Sequence, residues 1–186
     1  MKKNIFKKGG HRLAGIPRIA WGEGGFTLIE LLTVTFIILI ISVLVVANYH
    51  RGNRSVALSA QAARFAQDLR RAQESALSLR QINGMLPYGY GIYVRQGGSS
   101  YILYSDNNND KIYNDGEAQE TVALDGNIEI SSCLPNTASI DYIAPDLTAK
   151  INNGAGTELR VVFRVKNDAS MTRSVVANIA GLVYVQ

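Results

Sequence analysis

Between Phe26 and Ala47 the chain reads FTLIELLTVTFIILIISVLVVA, 22 residues with a single charge, Glu30. A helix needs about 20 apolar residues to cross the hydrocarbon core of a bilayer, so this run can span one. No small soluble domain can bury a helix that is apolar on every side, and the rest of the chain must fold without it. Ahead of the run stand Lys2, Lys3, Lys7, Lys8, Arg12 and Arg18 against one acid, Glu23. Basic flanks stay cytoplasmic, which predicts an N-in orientation with most of the chain outside. A cleavable secretory signal places its small residues after a shorter apolar core. Here the small residues, Gly22, Gly24 and Gly25, come first.

Glu30 is the residue out of place. A carboxylate in a membrane helix costs about 2.5–3.5 kcal/mol at the helix centre and less near the interface. It either reaches to the headgroups or finds an opposite charge. The letters around it, Gly25-Phe26-Thr27-Leu28-Ile29-Glu30 followed by the apolar run, resemble the prepilin processing site of type IV pilins and type II secretion pseudopilins. The resemblance implies cleavage after Gly25 by a prepilin peptidase and N-methylation of the new terminus, Phe26. It also implies an assembly role for Glu30, which in that family is held to neutralise the terminal ammonium of a neighbouring subunit.

Charge has to be read with that cut in mind. The formal +4 of the whole chain comes from 19 bases and 15 acids, and six bases and one acid precede Phe26. The remainder holds 13 bases and 14 acids, so the basic balance belongs to the leader and not to a nucleic-acid surface. One cysteine, Cys133, allows no intrachain disulfide and reads as a small buried apolar residue.

Four segments follow. Residues 1–25 are the leader, and 26–47 the transmembrane or filament-core helix. Residues 48–82 continue the helix as an amphipathic half, and 83–186 form a β-rich head. Tyr49, Arg51 and Arg54 suit an interfacial belt. Ala62, Phe65, Ala66, Leu69, Ala72, Ala76 and Leu79 recur at spacings of three and four, an apolar stripe opposite Arg64, Gln67, Asp68, Arg71, Glu74 and Ser78. Asn83-Gly84 is expected to end the helix near Arg80. Beyond it the period becomes two. Strands are expected at 88–94, 100–105, 120–124, 127–131, 139–143, 148–151, 158–166, 173–177 and 182–185. Gly97-Gly98 and Asp125-Gly126 read as hairpin turns. The fold class is α+β, a long N-terminal helix packed on an antiparallel sheet. The resemblance makes this a type IV pilin-like fold. Asp106–Glu117, Ile140–Lys150 and the closing hairpin Ser174–Val185 look like the GspH/FimT branch.

The loop from Asp106 to Glu117 is the best candidate site. Aligned with an EF-hand loop, Asp106, Asn108 and Asp110 take positions one, three and five. Ile112 would offer its carbonyl, Asn114 takes the ninth position and Glu117 the twelfth. Lys111 stands where the sharp turn takes glycine, and helical flanks are missing. The loop reads either as a calcium site or as a solvated Asn/Asp-rich turn. Catalysis has no constellation to rest on. The two histidines, His11 and His50, lie in the leader and at the membrane boundary, and neither a zinc cluster nor a phosphate loop is present.

The reading is therefore a structural subunit and not an enzyme. It would be a minor pilin or pseudopilin of a type IV pilus or type II secretion pseudopilus, single-pass in the inner membrane before assembly. Its implied partners are the prepilin peptidase, other pilin subunits, the inner-membrane assembly platform and the lipid bilayer. The alternatives are a DNA-binding minor pilin and a membrane-anchored binding module. The former lacks a basic C-terminal end, since the chain closes on Gly-Leu-Val-Tyr-Val-Gln.

Overall fold

A computed structural model describes residues 25–146 and 148–186. The leader expected at 1–25 thus lies, except for Gly25, outside the described residues. The chain divides into two compact units, Met1–Leu44 and Val45–Gln186. One helix, α1 (Leu28–Leu77), contributes to both.

In the first unit every described side chain from Gly25 to Leu44 is exposed. The polar groups of this stretch turn inward on their own helix. Thr33 Oγ1 donates to the Glu30 carbonyl at 2.9 Å, Thr35 Oγ1 to Leu31 at 2.9 Å, and Ser42 Oγ to Ile38 at 2.7 Å. Hydroxyls satisfied this way add little polar surface to the stretch. The stretch Leu28–Val46 is long and apolar enough to cross a membrane.

The second unit pairs the rest of α1 with two antiparallel sheets. Strands β1 (Gly89–Arg95), β2 (Ser100–Asp106), β3 (Ala118–Ala123), β5 (Thr137–Ile143) and β6 (Ala149–Ile151) form one, in the order β3-β2-β1-β5-β6. Strands β4 (Ile128–Leu134), β7 (Glu158–Val165), β8 (Asp168–Asn178) and β9 (Val183–Val185) form the other, in the order β4-β7-β8-β9. The sheets are stitched where Gly97 N–H donates to the Ile130 carbonyl at 2.8 Å and Ile130 N–H to Gly98 at 3.2 Å. Among the described residues, nine strands in two sheets replace the single sheet expected.

The helical stripe is buried as its spacing requires. Leu58, Ala62, Phe65, Ala66, Leu69, Ala72 and Ala76 are all buried. Phe65 touches both sheets, edge-on to Tyr101 of β2 (centroids 4.9 Å apart) and to Phe163 of β7 (5.4 Å). Small residues on either side let the helix come close to the strands. Tyr101 also donates to Asp68 Oδ2 at 2.5 Å, and Gln73 Nε2 to the Gly181 carbonyl at 2.7 Å.

Three local expectations are corrected. The helix ends at Leu77, with Leu79 at φ 49° and exposed rather than in the stripe. Asn83 and Gly84, at φ 51° and 77°, instead make a tight reversal in which Ile82 and Met85 exchange both backbone bonds. Two consecutive positive φ angles suit that turn and not a helix cap. Asp125-Gly126 is not a hairpin turn: β3 pairs with β2, and β4 with β7. Asp125 accepts the Asn127 N–H on its own side chain at 2.9 Å, and the chain changes sheets there.

Candidate functional site

Two sites named by the sequence are in view. The first is the junction at Gly25. Gly25 and Phe26 are exposed, and helix α1 begins two residues later. Thr27 Oγ1 accepts the Glu30 N–H at 3.2 Å, and the Thr27 carbonyl accepts Leu31 N–H at 3.1 Å. Thr27 is thus the N-cap, and Thr-x-x-Glu is the order of a capping box. Glu30 lies in the first turn, where the helix dipole favours an anion. Sequence reasoning read Glu30 as a membrane acid and missed its place as the N3 residue of a capped helix. The four-letter spacing was signal enough.

The second site is the loop joining β2 to β3. Asp106 ends β2, and Glu117 immediately precedes β3; both are buried. Asp106 Oδ1 accepts the N–H of Asn108 (3.1 Å) and of Asn109 (2.6 Å), and Oδ2 accepts that of Lys111 (3.0 Å). Glu117 closes the loop by accepting Asn107 N–H at 3.0 Å and Asn114 N–H at 2.9 Å. Asp110 accepts Ile112 N–H at 3.0 Å and the side-chain amides of Asn108 and Asn114 at 3.1 and 2.6 Å. Desolvation opposes the Asp110 charge, but these bonds and the nearby Lys111 outweigh it and lower the pKa of its carboxyl. Lys111 adopts φ 63°, the left-handed backbone that the alignment asked of its position. Ile112 is exposed at the rim, with its carbonyl 3.5 Å from the Asn114 amide.

The loop folds over the sheet face opposite the helix. Register fixes what lies there. Gly91 stands between Tyr104 and Asp141, and Gly89 between Asp106 and Ile143. Residues two apart share a face, so Asp106, Tyr104, Asp141 and Ser139 line the same one. Tyr113 of the loop packs its ring 4.8 Å from Tyr93 and 5.7 Å from Tyr104, and its N–H donates to Ser139 Oγ at 3.0 Å.

Asp141, which sequence reasoning did not single out, is fully buried on that face. Neither of its carboxylate oxygens has a hydrogen-bond partner. Desolvation, reinforced by Asp106, Glu117 and Asp110 and opposed by Lys111, pushes its pKa up to about 7. Burial first, and then the Asp141 charge, also raise that of the neighbouring Tyr104 hydroxyl. Among the described residues, no three His, Cys, Asp or Glu side chains are gathered closely enough to hold a metal ion as they stand.

Three of the candidate basic residues are paired with acids. Arg71 pairs with Glu120 at 2.8 Å, Arg160 with Glu158 at 3.2 Å, and Arg164 with Glu129 at 2.5 Å. Lys166 donates to the Gly126 carbonyl at 2.8 Å. Cys133 is buried as expected, its thiol pushed up to about 12 by desolvation. Comparison of the chain with family models, with curated proteins and with solved structures gives no match.

Proposed function

We propose that the chain is a type IV pilin-like structural subunit, a minor pilin or pseudopilin of the GspH/FimT kind. A prepilin peptidase would cut between Gly25 and Phe26 and methylate Phe26. The apolar half of α1 would hold the subunit in the inner membrane with its N-terminus inside. It would then enter the core of a type IV pilus or type II secretion pseudopilus, delivered by the assembly platform.

The observation that carries this reading is the junction itself. A small, exposed residue stands two positions before the N-cap of a helix whose first 19 residues, Leu28–Val46, leave nothing buried. A Cβ at Gly25 would meet nothing within 4 Å among the described residues. Glu30, in the first turn, would receive an ammonium from a neighbouring chain, and apolar surroundings would strengthen that pairing. The paired state of Arg71, Arg160 and Arg164 gives a DNA-binding role no comparable support.

Intact mass and N-terminal sequencing after co-expression with a prepilin peptidase test the reading, with Gly25→Leu as control. A methylated product beginning at Phe26, lost in the variant, is the expected result. A chain left uncut by an active peptidase would overturn it and leave a membrane-anchored β-rich module.

A further inference from the structure

We propose that the face of the five-stranded sheet beneath the Asp106–Glu117 loop is a calcium site, in which Asp141 of β5 joins the loop carboxylates around one cation. The inference does not depend on the assembly reading above.

It starts from an imbalance. A carboxylate removed from water and given no hydrogen bond is among the costliest groups a fold can carry. Asp141 is such a group, with both oxygens unpartnered at 0% exposure. Its neighbours make matters worse. Asp106 and Glu117 are also buried, and of the charges acting on Asp141 only Lys111 opposes three acids. The Lys111 ammonium is committed elsewhere, donating to the Asn109 carbonyl at 2.8 Å and to its side-chain oxygen at 3.1 Å.

The position of Asp141 is specific. A Cβ on Gly89 would collide with both oxygens of the Asp141 carboxylate, so that carboxylate fills the space a side chain at 89 would take. Gly89 is the register partner of Asp106. The Asp141 carboxylate is therefore aimed along the sheet face at Asp106, across a strand that has no side chain to separate them. A glycine at 89 makes the approach of two acids sterically open, and a second at 91 leaves room for the Tyr104 ring, which a Cβ there would overlap.

A proton on Asp141 would remove one charge and leave Asp106, Asp110 and Glu117 facing a single lysine. Asp106 and Glu117 between them already accept five backbone N–H bonds, so each is held in place by the loop. A divalent cation answers all four acids at once. The ligand groups on this face and its loop are oxygens: the carboxylates, the Ser139 and Tyr104 hydroxyls and loop carbonyls. That set suits calcium, which accepts six to eight oxygens in irregular geometry, better than magnesium or a nitrogen- or sulfur-seeking metal. The side chains must draw in on the ion, and a surface loop can supply that movement. Of the residues the sequence nominated, Asp106, Asp110 and Glu117 keep a direct role. Asn108, Ile112 and Asn114 shape the loop.

The test uses the full chain in detergent, stripped with EDTA and then titrated with Ca2+ or Tb3+. Tyr104 and Tyr113 are placed to sensitise terbium emission. At Ca2+ about a hundred times its Kd the melting temperature should rise by about 5–11 °C. Excess Ca2+ should quench the terbium signal. Asp141→Asn should abolish both responses while the metal-free variant melts no lower than wild type. No response of the wild type to millimolar Ca2+ would overturn the proposal, and so would a full response retained by Asp141→Asn. Should that variant fail to fold, hydrogen exchange of the wild type decides. Calcium should slow exchange in both 106–117 and 139–143, and slowing confined to the loop would remove Asp141 from the site and overturn the proposal.

Discussion

The two halves of α1 share a backbone and differ in everything their side chains do. From Leu28 to Val46 large apolar residues point outward on all sides, with Phe36 63% and Leu39 63% exposed. From Leu58 to Ala76 only one face is apolar; it is rich in alanine and buried against two sheets. A helix apolar all round belongs to lipid or to other helices, and one with a single stripe belongs to a domain. One secondary structure therefore carries two surface patterns. Changes in either half should be felt through different measurements, and that separation can be tested.

The largest effect is expected at Phe65, the ring shared by Tyr101 and Phe163. Phe65→Ala should cost the head about 3–5 kcal/mol, a cavity where two sheets and the helix meet. Urea denaturation of the full chain in detergent, followed by near-UV circular dichroism, would measure it. Phe36→Ala, the same deletion in the other half, should leave that curve unchanged. If the two cost the head the same, the halves are not energetically separate.

The converse change is a charge in the first half. Leu39→Arg should disfavour membrane insertion by about 2.5–3.5 kcal/mol, an effect of roughly 70- to 400-fold on partitioning. Carbonate extraction should move the chain into the soluble fraction while the unfolding midpoint of the head stays put. A drop in that midpoint would mean that Leu39 packs against the head after all.

The head also carries a pH dependence that the first half should lack. Asp141 has its carboxyl raised from 3.8 to about 7, by burial first and then by Asp106, Glu117 and Asp110 against Lys111. Tyr104 faces it from β2. The folded chain then holds that proton more tightly than the unfolded one. The resulting stability is fully present below about pH 4 and is lost as pH rises through about 7. In EDTA, the wild type should lose stability relative to Asp141→Asn between about pH 4 and 7. Equal slopes for the two proteins would show that Asp141 is solvated in the native state.

The sequence was informative where one residue's surroundings repeat at a fixed period. The stripe from Ala62 to Ala76 and the alternation Leu159, Val161, Phe163, Val165 in β7 both fall where spacing put them. It was uninformative where a short motif has two uses. Asn83-Gly84 closes a reversal instead of a helix, and Asp125-Gly126 links two sheets rather than two paired strands, because partner choice depends on strands far along the chain. The candidate loop was visible as a pattern of Asp and Asn. Asp141 was not, since its meaning comes from Gly89 and Asp106, brought beside it only by the sheet. Its one sequence signal is an acid at the centre of Ser-Ile-Asp-Tyr-Ile, a residue type that strands avoid.

The smallest expected effect lies at the start of the exposed half. Thr27 caps α1 through the Glu30 N–H, and Thr27→Ala should cost about 1 kcal/mol of local helix stability. At an end where every described side chain is exposed, the loss should appear only as fraying of the first turn, read as faster hydrogen exchange at Leu28–Leu31 in micelles. The head's midpoint should not move. Thr27→Ser keeps the acceptor and should restore slow exchange, whereas a head destabilised by Thr27→Ala would mean that the two halves of the helix unfold together.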